Sequence, residues 1–312
     1  MRALVAFLLA VASCIVAAEE KYPSRPIEFI VPWGPGGGAD QVARKAGKIM
    51  EGDLKVSFPV VNVPGATGNT GMAKLLAAPA DGYSISVMTW DTYALLATTK
   101  TRWSLKDIIP VALMIKQPSA FMAASNSNLK TWADVEREAK TRPLKVAITG
   151  FGSPDDITVN FFIARGLKLI AVPFANPGER YTSVLGGHAD LLYEQLGDVR
   201  SFLDSKQIHP VIIFAAKRFE VFPDVPASKE LGFDITLPQR RAVIMKAGTD
   251  PQRVKVISDA LAKVAASAEY KAYLKEQYAT DDSYFPADEA AKIMEEDLNQ
   301  MKQIAGQTPV KK

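Results

Sequence analysis

The 312-residue chain has one cysteine and two histidines. One cysteine excludes an internal disulfide and a cysteine-rich metal site, and two histidines leave little for His-based metal or triad chemistry. His188 follows Gly186-Gly187 and His209 precedes Pro210, so both read as loop residues. Neither a G-x-S-x-G elbow nor an H-E-x-x-H pair occurs. No Lys/Arg block is long enough to make a nucleic-acid face, and 37 basic against 34 acidic residues give only +3, so no nucleic-acid partner is expected. Beyond residue 18 no apolar run approaches the roughly 20 residues of a membrane span. What is present, 48% hydrophobic and 23% charged residues, suits a folded globular chain, and its length suggests about two domains. No cofactor or metal is expected.

The first 18 residues read as an export signal. Met1-Arg2 precedes an apolar stretch from Ala3 to Ala18, and Val16-Ala17-Ala18 offers small residues at a cut before Glu19. Val11-Ala12-Ser13-Cys14 resembles a lipobox and supplies a lesser alternative, a lipid-anchored form. The tether after Cys14, Ile15-Val16-Ala17-Ala18, is more apolar than such anchors use. Either way the mature chain is expected outside the cytoplasm.

Strand, glycine-rich loop and helix then repeat. Pro26–Pro32 is a β-branched and aromatic run ending in Trp33-Gly-Pro-Gly-Gly-Gly38, after which Val42, Ala46, Ile49 and Met50 recur at helical spacing. Phe58–Val63 and Ser84–Thr89 read as strands flanking a second glycine loop, Gly65–Gly71, and a helix. Ser104–Asp107 and Thr131–Asp134 have capping-box spacing. Leu144–Thr149 reads as a buried strand, followed by a helix with Pro154 at its first position and Asp155 and Asp156 in its first turn. Further segments read as a helix over Glu179–Leu185, strands over Ala189–Tyr193 and Val211–Ala215, and long helices from Pro251 to about Tyr278 and Pro286 to about Ala305. The alternation predicts an α/β fold with a mainly parallel sheet.

A glycine turn between strand and helix presents backbone N–H groups at the positive end of a helix dipole, a seat for phosphate or carboxylate. Gly36, Gly37 and Gly38 leave that approach free of Cβ atoms, and Asp40 is placed to brace the loop. Gly34-x-Gly36-x-x-Ala39 matches a dinucleotide fingerprint only loosely, and the second strand ends Val61-Asn62-Val63 without the acid that would hold a ribose. Neither loop continues into the Gly-Lys-Ser/Thr of a P-loop.

The ordered series Tyr22–Pro26, Gly34–Asp40, Asn62–Gly68, Ala80–Tyr83, Ser104–Pro110, Gly152–Pro154, Val172–Phe174, Leu185–Asp190 and Phe222–Pro226 resembles the Bug family, extracytoplasmic receptors of tripartite tricarboxylate transporters. The resemblance implies a two-lobe periplasmic-binding-protein fold with a ligand cleft between the lobes. It implies capture of a small carboxylate (di- or tricarboxylate, or aromatic) and delivery to membrane permease subunits, with no enzymatic activity. By position it implies a ligand set of Trp33, Gly36, Gly37, Gly38 and Asp40 in the first loop, Thr89 and Asp91 after the third strand, Gly152 and Ser153 in the facing loop, and Phe174 and Tyr193 at the far end. Lobe boundaries would follow as 19–110, 111–215 and 216–312, the last returning to the first lobe. The alternative is an exported α/β enzyme acting on a small carboxylate in the same cleft. Asp155 and Asp156 depart from the family pattern and are expected to face solvent and serve the helix dipole; facing the cleft, they would favour a ligand with an amine or only one carboxylate. Arg240 or Arg241 is placed to pair with a carboxylate, with an exposed ion pair as the alternative.

Overall fold

A computed structural model describes residues 21–307. The expected signal peptide, its cut before Glu19 and Cys14 lie outside them. The chain begins with β1 (Glu28–Val31), α1 (Gly38–Leu54), β2 (Val60–Asn62), α2 (Asn69–Ala77), β3 (Ser84–Thr89), and the short helices α3 (Trp90–Tyr93) and α4 (Leu95–Thr98). Then come β4 (Ile108–Gln117), β5 (Ser119–Ala124), α5 (Trp132–Thr141), β6 (Leu144–Ile148), α6 (Pro154–Ile163), β7 (Leu169–Pro173), α7 (Pro177–Leu185), β8 (Leu191–Gln195), α8 (Arg200–Asp204) and β9 (Ile208–Phe214). The last elements are β10 (Gln239–Lys246), α9 (Pro251–Ala266), α10 (Ala268–Glu276), β11 (Phe285–Pro286) and α11 (Ala287–Gln307).

Two sheets result, in the orders β11-β4-β10-β3-β1-β2 and β7-β6-β8-β5-β9. Each contains a parallel trio, β2-β1-β3 and β7-β6-β8, in which successive strands are linked through helices. The remaining pairings are antiparallel, so the sheets are mixed rather than mainly parallel. The antiparallel strands are those next to the lobe crossings. β5 and β10 were not legible as strands: β5 is the Ala-rich SAFMAA, poor in β-branched residues, and β10 starts with Gln239-Arg240-Arg241.

The crossings also differ from expectation. The strand containing Pro110 continues in the first sheet to Gln117, and the chain enters the second sheet after Pro118, so the first lobe does not end at 110. After β9 the chain stays with the second lobe, where Ala227 bridges to Ile213, before β10 returns it to the first sheet at Gln239. The boundary expected at 215 therefore falls more than twenty residues early. The helix expected over Pro251–Tyr278 is two, broken at Ser267, whose side chain accepts from Tyr270 N and caps α10.

Local chemistry explains the elements around the cleft. α1 buries Val42, Ala43, Ala46 and Met50 along one face, packing with Phe29, Val31 and Val87. Ser104 and Thr131 both close true capping boxes, but the first heads only a single turn before β4. Phe121, Trp132, Phe162 and Phe214 form an aromatic cluster under the second sheet. α11 lies against β4 and reaches α6, fastening the C-terminal segment across both lobes. No helix among the described residues is long and apolar enough to cross a membrane.

Candidate functional site

The first loop is built by Asp40. One carboxylate oxygen accepts from Gly36 N (3.0 Å) and Arg44 Nε (2.9 Å), and the other accepts from Asn62 Nδ2 (3.0 Å). Burial works against its ionisation, but these hydrogen bonds hold the carboxyl below its ordinary value. Asp40 thus braces the loop from behind, leaving its front to backbone. Gly36 sits at φ +84°, the left-handed conformation that lets the chain turn into α1. The N-cap of α1 is Gly37, which supplies no side-chain acceptor to the first-turn N–H groups.

In front of that helix start lies a small buried cavity of about 20 Å³, enough for about one water molecule. Trp33, Gly37, Gly38, Ala39, Thr89, Asp91 and Arg241 line it from the first lobe. Thr149, Pro177, Arg180, Tyr181, Glu194, Gln195 and Asp198 line it from the second. Trp33 Nε1 donates to Thr89 Oγ1 (2.9 Å), fixing the indole as one wall. A larger hollow of about 730 Å³ lies between α1 and α10 on the outer face of the first lobe. It is lined by surface charges such as Lys45 and Glu269, which pair with one another, and the chemistry converges in the cleft instead.

The cavity wall is a charge network. Arg241 bonds Asp198 and Gln117 and reaches Gln195 Oε1 at 3.2 Å, joining the lobes. Arg180 bonds Glu194 within the second lobe. Asp91, in the first turn of α3, accepts from Gln239 Nε2 and enters no ion pair formed by the described residues. Its carboxyl is pushed up to about 7, first by burial and then by the charges of Asp155 and Glu194. Burial likewise raises Asp155 and Asp198, in Asp198 against the pull of Arg241. Arg180 Nε, Arg241 Nε and Tyr181 Oη are buried and have no hydrogen-bond partner among the described residues.

Of the expected ligand set, Trp33, Gly37, Gly38, Thr89 and Asp91 come together on the cavity. Gly36 and Asp40 shape its loop without lining it. Gly152 and Ser153 also stand back: Ser153 caps α6, and the Gly152 carbonyl accepts from Thr98 Oγ1 (2.9 Å), a contact between lobes. Phe174 packs with the core beneath β8, and its carbonyl accepts from Arg180 Nη1 at 3.3 Å. Tyr193 stacks on Phe214 in the aromatic core, while the next two residues at the end of β8, Glu194 and Gln195, reach the cavity.

Asp155 and Asp156 are buried rather than solvent-facing. Asp155 accepts from Thr149 N (2.5 Å) and Asp156 from Gly152 N (2.8 Å), so both serve the start of their own helix from inside the protein. Arg241 faces the cleft, whereas Arg240 pairs with Asp297 of α11 at 2.9 Å. Sequence reading missed Tyr181, Glu194, Gln195 and Asp198. The available signal for two of them was a polar pair, Glu194-Gln195, ending an otherwise apolar strand.

Residues 42–309 match the family described as the tripartite tricarboxylate transporter family receptor, TctC. Protein BugT of Bordetella pertussis is 27% identical over 249 residues, covering 77% of this chain and 76% of BugT. A UPF0065 protein from the TAR-I ttuE-ttuC' intergenic region of Agrobacterium vitis is 28% identical over 70% of this chain and 64% of its own length. Among solved structures, a TctC solute binding protein from Polaromonas without ligand is 27% identical, with a TM-score of 0.65 over 92% of this chain and 99% of the other. MatC from Rhodopseudomonas palustris with bound malate has a TM-score of 0.83 at 22% identity, over 91% of this chain and all of MatC. Another R. palustris protein, with adipate, reaches 0.84 at 21% identity over 91% of this chain and 98% of its own. With most of its length matched, the chain belongs to the tripartite tricarboxylate transporter receptor family.

Proposed function

We propose that the protein is a periplasmic solute receptor that closes its two lobes on a small organic acid and hands it to the membrane permease subunits of a tripartite tricarboxylate transporter. The observation that carries this reading is the seat at the start of α1. There a carboxylate, that of Asp198, lies against Gly38 and is held by Arg241 inside a cavity walled by both lobes. A site that holds one carboxylate has the donors for another: first-turn N–H groups, the positive end of a 17-residue helix, and guanidinium groups. Malate and adipate in two relatives of the same fold support the ligand class.

The cavity is too small for any organic acid as it stands, so solute enters when the lobes part about the Pro118 crossing and the 215–238 return. Ligand bridging Gly37, Gly38 and Asp91 on one side to Arg180 and Tyr181 on the other favours the closed arrangement, which is then presented to the permease. Gly36, Asp40, Gly152 and Ser153 act by shaping the two loops.

Thermal-shift titration of ligand-stripped protein against mono-, di- and tricarboxylates and aromatic acids tests the reading. Saturable stabilisation by one chemical group is expected. A flat panel on well-folded protein sinks the carboxylate reading. Unimpaired uptake of the bound acid after deletion of the receptor sinks the delivery step.

A further inference from the structure

We infer that the preferred ligand is a small zwitterion: its ammonium group pairs with Asp91, and its single carboxylate takes the free donors of Arg180, Arg241 and Tyr181. The inference rests on the receptor reading above and narrows its ligand class.

Two independent observations converge. The first is charge. Three carboxylates, those of Asp91, Glu194 and Asp198, line the cavity against two guanidinium groups, those of Arg180 and Arg241. Both guanidiniums are committed, Arg180 to Glu194 and Arg241 to Asp198. Asp91 is left over: it accepts from the neutral amide of Gln239 and forms no ion pair with the described residues. A dianion entering this cleft finds both guanidinium groups already paired and no cation beside Asp91, whereas an ammonium group meets a carboxyl that it can ionise and pair with.

The second observation is the set of unmet donors. Tyr181 is 6% exposed, Arg180 5% and Arg241 3%, and among the described residues neither the Tyr181 hydroxyl nor the Nε of either arginine has a partner. Buried donors without acceptors are costly, and all three residues line the same cavity. They ask for one acceptor group, which a carboxylate supplies. An acid without a cation at Asp91 and unmet donors on Arg180, Arg241 and Tyr181 describe the two ends of an amino acid better than the two ends of a diacid.

Ligand-stripped wild-type protein would be titrated calorimetrically with four probes of similar length: 2-aminobutyrate, 4-aminobutyrate, butyrate and glutarate. At least one amino acid is expected to bind tenfold or more tightly than both butyrate and glutarate. In Asp91→Asn that advantage is expected to vanish while butyrate and glutarate hold or gain affinity. Glutarate binding as tightly as the better amino acid overturns the zwitterion inference and leaves the receptor reading standing. So does an amino-acid affinity unmoved in a folded Asp91→Asn variant. If no carboxylate-bearing probe binds, in this set or in the wider panel, the receptor reading falls and the inference with it. The wild-type comparison decides the matter even where the variant fails to fold.

Discussion

The carboxylate of Asp198 lies so close to Gly38 that a β-carbon added at that glycine would fall on its oxygen and on the Arg241 guanidinium. Asp198 belongs to the second lobe and Gly38 to the first, so the missing side chain at the first residue of α1 lets the lobes meet there.

Gly38→Ala should weaken the contact between the lobes. Its backbone is helical, so alanine is unstrained there, and the added methyl meets Asp198 of the second lobe and the end of the Arg241 side chain of the first. The added methyl costs the closed form about 1–3 kcal/mol through overpacking. Ligand affinity is expected to fall roughly tenfold or more, with an increased radius of gyration by X-ray scattering in the presence of ligand. Unchanged affinity would show that Asp198 moves aside freely.

The Asp198–Arg241 pair crosses the lobes with both side chains almost fully buried. Asp198→Ala strands a buried guanidinium and should destabilise the protein by about 3–5 kcal/mol in urea unfolding. Adding Arg241→Met should recover much of that loss, because the uncompensated charge goes with it. A double variant no more stable than Asp198→Ala alone would contradict this account of the pair.

Stability should fall as pH rises through neutrality. The Asp91 carboxyl is raised to about 7 in the folded protein, against about 3.9 in the unfolded chain. Between those values the folded state keeps a proton that the unfolded state has lost. The stabilisation is therefore complete below about pH 4 and disappears as pH climbs past 7. Asp155 and Asp198 are raised too and act in the same direction. Ligand-free protein is expected to melt several degrees higher at pH 5 than at pH 8, and Asp91→Asn should flatten much of that slope. A melting temperature that rises over this interval would contradict the burial argument.

Asp40→Ala should loosen the first loop. It removes the acceptor for Gly36 N and one of the two acceptors of Asn62 Nδ2, which keeps the Trp33 carbonyl, at a cost of about 1–3 kcal/mol in all. The half-exposed Arg44 contributes little to the loss. Amide exchange over residues 34–40 is expected to accelerate while exchange in the second lobe is unchanged. Uniform protection across both would show that the loop holds its shape without Asp40.

Much of the molecule was legible before its coordinates. The Gly and Pro spacing located β1, α1 and the loop between them, and the capping box at Thr131 and the proline at 154 marked helix starts within a residue or two. The order of these motifs pointed to the family. Asp40 was readable as a brace because it sits in the first turn of the helix it serves. By contrast, Phe174 and Tyr193 were placed in the pocket by resemblance alone; Tyr193 lies in the aromatic core and Phe174 is half-buried against a core cluster, and neither lines the cavity.

What the sequence determined by itself is everything that acts within a few residues: turns, caps, amphipathic faces and the presence of a glycine seat at a helix start. What only the tertiary structure decided is which charge meets which. Asp91 meets Gln239 across 148 residues, and Arg241 meets Asp198 across 43. Those partners are fixed by where the ends of β3, β8 and β10 converge, a consequence of sheet order and of the crossing at Pro118. Burial then sets their protonation, and the same convergence leaves Asp91 without a cation among the described residues, because desolvation depends on the surrounding packing and not on neighbours in the chain.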